Sequence, residues 1–274
     1  MKIPNNFIFS QNNLQDYQDC PRRFYLRHLL KQDWPAVETE PVQDQEELIA
    51  LGERFHLMVQ QYFAGLPAES ISTGIENPIL MEWWNQFLKK QLLALPGRKI
   101  SENIFTIPFE AYRLTAKFDL LLIQQDDQIK IYDWKTSQHT PRSKWLAERL
   151  QTKVYPFVIA SLLPSLFPQR EIKKDNIEMI YWYPAFPEFT LSFPYSQETF
   201  LQDQEYLSNL VNEIARKEES DFNLTNNEKT CKYCRYRSLC ERGITAGNLN
   251  DLASMEDTDN SAFDIDFDTI DPVI

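Results

Sequence analysis

The chain has 274 residues, of which 43% are hydrophobic and 13% aromatic, so it can bury a substantial core. It contains no run of about 18 apolar residues, which argues against a membrane-spanning helix, and it has no G-x-G-x-x-G or G-x-x-x-x-G-K phosphate loop. The net charge is −12, but residues 251–274 carry eight acids and no Lys or Arg. Residues 1–250 therefore carry only −4, and a nucleic-acid partner is not excluded.

The N-terminal part of the chain predicts helices and no secretion signal. The first residues, MKIPNNFIFSQNN, lack the apolar region of a signal peptide, so we expect a cytoplasmic protein with no membrane partner. Ser10 is placed to cap a helix, and Pro21 predicts a new turn because proline fits poorly in a helix interior. Glu46–Phe63 has the apolar stripe of a strong amphipathic helix.

Gly52 and His56 lie four residues apart on this helix and therefore share one face. Gly52 would leave room for a neighbouring backbone, and His56 would point into the same space. A lone histidine beside an apolar stripe is more often a packed core residue than a metal ligand. The helix by itself therefore favours the core interpretation.

The middle of the chain predicts a β-hairpin. Asn77–Leu95 indicates another helix, and Ile104–Phe109 indicates a strand that leads towards the hairpin. Leu114–Ile123 and Gln128–Trp134 are two apolar strands, and the polar residues 124–127 between them suit a hairpin turn.

Each strand of this hairpin has a carboxylate where a core residue is expected. Asp119 lies within the first strand, and Asp133 ends the apolar run of the second. Asp133 and Lys135 project to one face because side chains alternate along a strand. Two carboxylates with a lysine nearby can hold a divalent cation, and oxygen ligands suit Mg²⁺ or Mn²⁺. The alternative is an edge hairpin with solvated charges, because D-x-K alone is common.

A helical stretch follows the hairpin. Gln151 and Tyr155 share one of its faces, and Pro156 predicts a kink or an end. The basic residues of this stretch are Arg142, Lys144, Arg149 and Lys153.

The rest of the chain predicts two strands and a long helix. Ile177–Tyr183 and Phe189–Phe193 alternate as strands, which gives a central sheet of about five strands. Gln197–Arg216 has helical spacing. We predict a single α/β domain over residues 1–245 and an acidic disordered tail over residues 246–274.

The chain has four cysteines: Cys20 lies near the N-terminus, whereas Cys231, Cys234 and Cys240 form C-x2-C-x5-C. In a cytoplasmic protein such a cluster binds a metal more often than it forms disulfides. Four thiolates can hold Zn²⁺ or an iron–sulfur cluster, and the spacing fits a zinc ribbon poorly. This favours iron–sulfur and leaves zinc open. Such a site would fasten both ends of the domain together, and its loss should unfold them.

Basic and aromatic residues surround the C-terminal cysteines. Phosphate contacts combined with aromatic stacking commonly bind single strands of nucleic acid, but the same charges can equally form a solvated surface. The residues concerned are Lys229, Lys232, Arg235, Arg237 and Arg242, with Tyr233 and Tyr236 interleaved.

Together these motifs resemble the PD-(D/E)XK nuclease superfamily. The nearest match is its RecB-like branch with an iron–sulfur cluster, as in AddB-type nuclease domains and the cluster-bearing CRISPR-associated nucleases. The residues that carry the resemblance are SQNNLQDYQDCPRRFY at positions 10–25, Gly52 with His56, Asp119, Asp133-Trp134-Lys135, Gln151 with Tyr155, and Cys231, Cys234 and Cys240.

The resemblance implies a restriction-endonuclease-like fold, in which a mixed central β-sheet is flanked by helices and the helical N- and C-terminal ends are joined by the cysteines. It implies that one or two Mg²⁺ or Mn²⁺ ions are held by His56, Asp119, Asp133 and the backbone carbonyl of Trp134. Lys135 would then position or help deprotonate the attacking water and stabilise charge in the transition state.

The resemblance also gives roles to residues outside the hairpin. Gln151 and Tyr155 would orient the phosphate or the lysine. A structural 4Fe-4S cluster would be held by Cys20, Cys231, Cys234 and Cys240. The candidates for contacts with the DNA backbone are Lys144, Arg149, Lys153, Arg235 and Arg237.

The function implied is a metal-dependent deoxyribonuclease, an exonuclease more than an endonuclease, that acts on single strands or ends in DNA repair or recombination beside a helicase. Two alternatives remain open: a non-catalytic DNA- or helicase-binding module of the same fold, and a zinc-stapled scaffold. The presence of His56, Asp119, Asp133 and Lys135 argues against a degenerate, non-catalytic copy.

Overall fold

The computed structural model describes residues 2–32, 43–137, 143–232, 234 and 236–245, without the side chains of residues 43–49. The acidic tail that the sequence predicts to be disordered, residues 246–274, lies outside the described residues. Within the described part of the chain, no helix has both the length and the apolar character needed to cross a bilayer.

The N-terminal helices begin where the sequence predicts. The Ser10 hydroxyl accepts a hydrogen bond from the Asn13 N–H, and the Asn13 side chain accepts one from the Ser10 N–H, which caps the first helix from both sides. Pro21 is the first residue of the next helix, where its missing N–H costs nothing. The helices are α1 (Gln11–Asp19), α2 (Pro21–Phe24), α3 (Gln43–Phe63), α4 (Ala68–Ser72), α5 (Pro78–Lys89), α6 (Ser143–Glu148), α7 (Leu150–Leu166), α8 (Gln197–Arg216) and α9 (Glu228–Lys232).

The strands form one mixed six-stranded sheet of order β1-β3-β4-β5-β6, with β2 paired along the whole of β3. The pairs β1–β3 and β4–β5 are parallel, and the other pairs are antiparallel. The sheet has one strand more than the sequence predicts, because the first strand has only three residues and shows no alternating pattern. The strands are β1 (Ile8–Ser10), β2 (Arg98–Phe109), β3 (Tyr112–Ile123), β4 (Ile129–Trp134), β5 (Ile177–Trp182) and β6 (Thr190–Pro194).

Helices cover both faces of the sheet. One core cluster joins β3 and β4 to α1, α7 and α8, and a second joins them to α3 and α5. Trp83 and Trp84 of α5 belong to the second cluster. α7 runs through Pro156 to Leu166, so this proline does not end the helix.

Side chains along β3 alternate between the two faces of the sheet, and this alternation shifts by one residue halfway along the strand. Phe118 and Leu121 pack in the first core, whereas Leu120 packs in the second. In an uninterrupted strand Phe118 and Leu120 would face the same side of the sheet. The change of phase therefore falls at Asp119, between the two cores.

Candidate metal centre and active site

The two hairpin carboxylates are buried where the β3–β4 ladder ends. Cα pairing stops at Leu120 and Tyr132, one residue short of Asp119 and Asp133. Beyond that point the backbone N–H of Trp134 donates to Asp119 Oδ2 at 2.6 Å instead of to a carbonyl of β3. The backbone N–H that would form the next hydrogen bond of the ladder therefore binds the carboxylate of Asp119 instead.

Asp133 is held by two side chains. Lys135 Nζ lies 3.1 Å from Asp133 Oδ2, and Gln151 Nε2 on α7 donates to Asp133 Oδ1 at 2.6 Å. The Lys135 N–H donates to the Trp182 carbonyl on β5, which extends the strand pairing past Asp133. The sequence prediction that Asp133 and Lys135 share a face is confirmed. Gln151 therefore contacts the carboxylate with which Lys135 pairs.

His56 reaches the hairpin from α3. Its neighbour Phe55 is fully buried in the second core, which fixes this turn of the helix. His56 Nδ1 lies 3.1 Å from Asp119 Oδ1. Burial alone would lower the pKa of His56, but the carboxylates of Asp119 and Glu102 outweigh it and raise the pKa to about 10. The ring of His56 therefore lies against a carboxylate of the hairpin, beside the apolar stripe of α3.

Gly52 lies one turn before His56 and faces the segment after Lys135. A Cβ at this position would come within 2.6 Å of Thr136 Oγ1. The absence of a side chain therefore lets α3 approach the end of β4 closely enough for His56 to reach Asp119. The sequence predicts the close approach; the structure identifies the neighbouring group as a threonine side chain.

Tyr155 lies one turn after Gln151 on α7, and it is buried against Phe118 with ring centroids 4.9 Å apart. Its hydroxyl accepts a hydrogen bond from Gln11 Nε2 on α1 at 3.1 Å. Burial and then the charge of Asp133 raise the pKa of Tyr155 well above its ordinary value, so this hydroxyl keeps its proton. Gln11 is a contact that the sequence analysis missed.

Glu102 on β2 is the acidic residue that the sequence analysis missed. Its Oε1 lies 3.9 Å from His56 Nδ1, and one ligand atom from each of His56, Glu102 and Asp119 lies within 4.8 Å of the other two. This nitrogen and oxygen donor set fits Mg²⁺ or Mn²⁺. Asp133 lies outside this group of three. No signal in the sequence marks Glu102, because it precedes the predicted strand Ile104–Phe109 in a polar stretch.

The four cysteines line one cavity at the junction of the N- and C-terminal segments. Its volume is about 400 Å³ including the open mouth, and Arg23, Arg237 and Arg242 also line it. Among the residues that the structure describes, no three of the four sulfur atoms lie within 4.8 Å of one another. Zinc holds its thiolates at about 2.3 Å, which brings neighbouring sulfurs to within roughly 4 Å. Burial raises the pKa of Cys234 to about 11.

The basic residues that the sequence predicts to contact DNA differ from one another in their surroundings. Lys144 is exposed, and Arg149 lies over the Trp145 ring at 5.0 Å. Lys153 lies 3.5 Å from the buried Asp203 and over the Tyr206 ring. Arg237 donates to the Lys232 carbonyl at 2.8 Å beside the cysteine cavity, and Arg235 lies outside the described residues.

Comparisons with known proteins give a family and a fold. A family model described as the PD-(D/E)XK nuclease superfamily matches residues 8–241. Among solved structures, a protein from Eubacterium rectale, provisionally named an exonuclease, has a TM-score of 0.54 and 7% identity over 90% of this chain and 93% of that chain. Another, SSO0001, has a TM-score of 0.44 and 13% identity over 89% and 90%. A search of curated protein sequences gives no match.

Proposed function

The chain belongs to the PD-(D/E)XK nuclease superfamily, and from this membership we propose that it is a metal-dependent nuclease that hydrolyses phosphodiester bonds in DNA, on single strands or at ends. One observation carries the proposal. Asp119, Asp133 and Lys135 lie together at the end of the β3–β4 hairpin, with His56 Nδ1 3.1 Å from Asp119 Oδ1.

His56, Asp119, Asp133 and the backbone carbonyl of Trp134 would hold Mg²⁺ or Mn²⁺. When bound, such an ion supplies Lewis-acid stabilisation of the negative charge on the phosphate. Asp119 is ready for this role, because the Trp134 N–H holds its Oδ2 and leaves Oδ1 towards His56.

Lys135 supplies a positive charge beside the carboxylates. Its ammonium group can hold the attacking water by hydrogen bonding and stabilise the negative charge that develops in the transition state. Gln151 fixes the carboxylate with which Lys135 pairs, so the ammonium group is placed indirectly from α7. Tyr155, one turn further along α7, keeps its proton and accepts a hydrogen bond from Gln11 of α1, which ties this part of α7 to α1.

The cysteines support membership of the RecB-like branch with a structural 4Fe-4S cluster, held by Cys20, Cys231, Cys234 and Cys240. Four cysteines line one cavity, and no three of their sulfurs lie within 4.8 Å of one another, whereas a zinc ion brings its thiolates to within roughly 4 Å of one another. An iron–sulfur cluster spreads its cysteine ligands over several iron atoms and so suits the wider spacing. Zinc is the alternative metal.

DNA is the proposed substrate, with Lys144, Arg149, Lys153, Arg235 and Arg237 as candidates for phosphate contacts. A role in repair or recombination, exonuclease rather than endonuclease action, and a helicase as partner follow from the resemblance to the RecB-like branch.

The proposal is tested by cleavage of 5′- and 3′-labelled single- and double-stranded DNA with Mg²⁺ and with Mn²⁺, beside the Lys135→Ala variant. We expect the wild-type protein to shorten single strands or ends only when a divalent ion is present, and the variant to be inactive with an unchanged circular dichroism spectrum. Failure of the wild-type protein to cleave any of these substrates, or full activity in the variant, would overturn the proposal.

A further inference from the structure

Glu102 has a backbone conformation that is unusual for its place in the fold. Its φ is +51°, in the left-handed region that residues with a side chain rarely adopt. Inside a strand such a conformation has a steric cost, and it persists only where the surrounding structure enforces it. The other described non-glycine residues with positive φ lie at turns or helix ends; they are Lys31, Gln91, Glu110, Asp127 and Glu241.

The interruption at Glu102 lies directly opposite Asp119. The β2–β3 register pairs Ser101 with Leu120 and Asn103 with Phe118, so Glu102 stands across from Asp119. β2 changes phase here as β3 does. Ile100 and Ile107 contact the same core although their positions differ by seven, and in a regular strand residues an odd number of positions apart face opposite sides. Two carboxylates therefore face each other across an antiparallel pair, an arrangement that is unfavourable unless a cation lies near.

The side chain of Glu102 joins two basic groups. It is only 8% exposed, with Oε2 2.7 Å from Lys117 Nζ and Oε1 3.9 Å from His56 Nδ1. One oxygen of Glu102 therefore pairs with the Lys117 ammonium group, while the other lies nearest the ring that contacts Asp119.

We propose that Glu102 is an additional ligand of the divalent-ion centre, beside His56 and Asp119, and that Lys117 competes with the ion for its carboxylate. This inference rests on the proposed function, because it assumes the metal centre at Asp119. The left-handed backbone and the position opposite Asp119 carry it, since a simple Glu–Lys ion pair requires neither. Lys117 pairs with Oε2 and so draws the charge of the carboxylate away from the centre, whereas Oε1, on the side of His56, would be the oxygen that holds the ion.

Binding of Mn²⁺ to the holoprotein without DNA, measured from the electron paramagnetic resonance signal of free Mn²⁺, tests the proposal. Glu102→Gln removes the charge and keeps the shape, and we expect it to raise the Kd at least tenfold, as loss of a ligand should. Lys117→Gln removes the competing ammonium group, and we expect it to lower the Kd several-fold. Glu110→Gln is the matched control, because Glu110 also has a positive φ (+53°) but lies in the β2–β3 turn; its Kd should stay unchanged.

The Glu102→Gly variant tests whether weaker Mn²⁺ binding could instead result from loss of the fold. Glycine adopts a positive φ without steric cost, so this variant should melt no lower than the wild-type protein and still bind Mn²⁺ at least tenfold more weakly. The proposal is overturned if Glu102→Gln and Glu102→Gly bind Mn²⁺ as the wild type does, or if Lys117→Gln weakens binding as much as Glu102→Gln. In either case, loss of Mn²⁺ binding in Asp119→Asn leaves the proposed function standing, whereas Mn²⁺ binding retained in Asp119→Asn would count against the metal centre itself.

Discussion

The hairpin site and the cysteine cavity differ in what holds their side chains in place. At the hairpin, Asp119 accepts a hydrogen bond from the Trp134 N–H at 2.6 Å, and Asp133 accepts one from the Gln151 amide at 2.6 Å. The two carboxylates lie on paired strands, and Gln151 lies on the long helix α7. Around the cavity, Cys231 and Cys240 lie on a five-residue and a four-residue helix. Together with Cys20 and Cys234 they line one cavity, and no three of the four sulfurs lie within 4.8 Å of one another.

This difference indicates which of the two sites would depend on a bound group for its geometry. The carboxylates are fixed by hydrogen bonds of the sheet and of α7, so the geometry of the hairpin exists before an ion arrives. The cysteines lie on short segments that bring few backbone hydrogen bonds of their own, so their arrangement would depend on any group that they hold. Changes at the cavity should therefore affect stability first, and changes at the hairpin should affect cleavage first.

Replacing Cys20 by Ser should have the largest effect on the fold. If the cavity holds an iron–sulfur cluster, the variant loses the visible absorbance of the anaerobically purified protein and melts at a clearly lower temperature, because the N- and C-terminal segments are no longer joined. Ser238→Ala, in the same C-terminal segment, is the control and should keep both properties. Unchanged colour and melting temperature in Cys20→Ser would mean that Cys20 is not a ligand.

Asp16 on α1 supports the wall of the cavity through Arg23, and its loss should have the next largest effect. Asp16 Oδ1 lies 2.7 Å from Arg23 Nε, and its Oδ2 lies 3.1 Å from Arg27 Nη1 and 2.8 Å from His28 Nε2. Asp16→Asn leaves buried cations without their shared carboxylate, so we expect a loss of about 3 kcal/mol in the free energy of unfolding, measured in urea at pH 7. A loss below about 1 kcal/mol would contradict the role of this network.

The same variant should show how stability depends on pH. Burial by itself raises the pKa of Asp16, but Arg23, the hydrogen bond from His28 and Arg27 outweigh it and hold the pKa well below its ordinary value. A lowered pKa in the folded state stabilises the protein above the ordinary carboxyl pKa of about 3.9, and this contribution is lost as the pH falls below it. The difference between wild type and Asp16→Asn should therefore shrink between pH 6 and pH 3. A constant difference would show that the charge of Asp16 does not stabilise the fold.

Gly52→Ala should have the smallest effect and should act on cleavage alone. The new methyl group would meet Thr136 Oγ1 at 2.6 Å, so α3 or Thr136 must shift and His56 moves relative to Asp119. We expect cleavage to slow about tenfold with little change in melting temperature. Removing the hydroxyl with Thr136→Ala should restore the rate in the double variant. Gly74→Ala is the matched control, because its Cβ would lie 3.8 Å from its nearest neighbours; an equal loss of activity there would refute the steric explanation.

Much of the fold could be predicted because its elements carry strong local patterns. The hairpin strands and α8 lie within two residues of their predicted bounds, and Asp133 and Lys135 share a face as alternation requires. The three-residue β1 and the continuation of α7 through Pro156 could not be predicted, because both depend on packing against distant segments.

The residues of the candidate site that belong to a motif could be predicted. The residues that reach the site from distant parts of the sequence could not. Asp119 and Asp133 stand out as carboxylates in apolar strands, and Lys135 follows two residues after Asp133, whereas His56 is assigned to the metal centre only by the resemblance to the nuclease superfamily. Glu102 belongs to no motif and becomes visible only because the β2–β3 register places it opposite Asp119. The contact of Gln11 with Tyr155 joins residues 144 positions apart, which no local pattern could reveal.

The central claim is that the two hairpin carboxylates form one catalytic centre. The most direct measurement is the single-turnover rate of Mn²⁺-dependent cleavage of end-labelled single-stranded DNA by Asp119→Ala, Asp133→Ala and the double variant, each checked for folding by circular dichroism. Because residues that act as a unit are not additive, we predict that each single substitution abolishes cleavage as completely as the double does. Cleavage at a rate close to wild type in either folded single variant would contradict the claim.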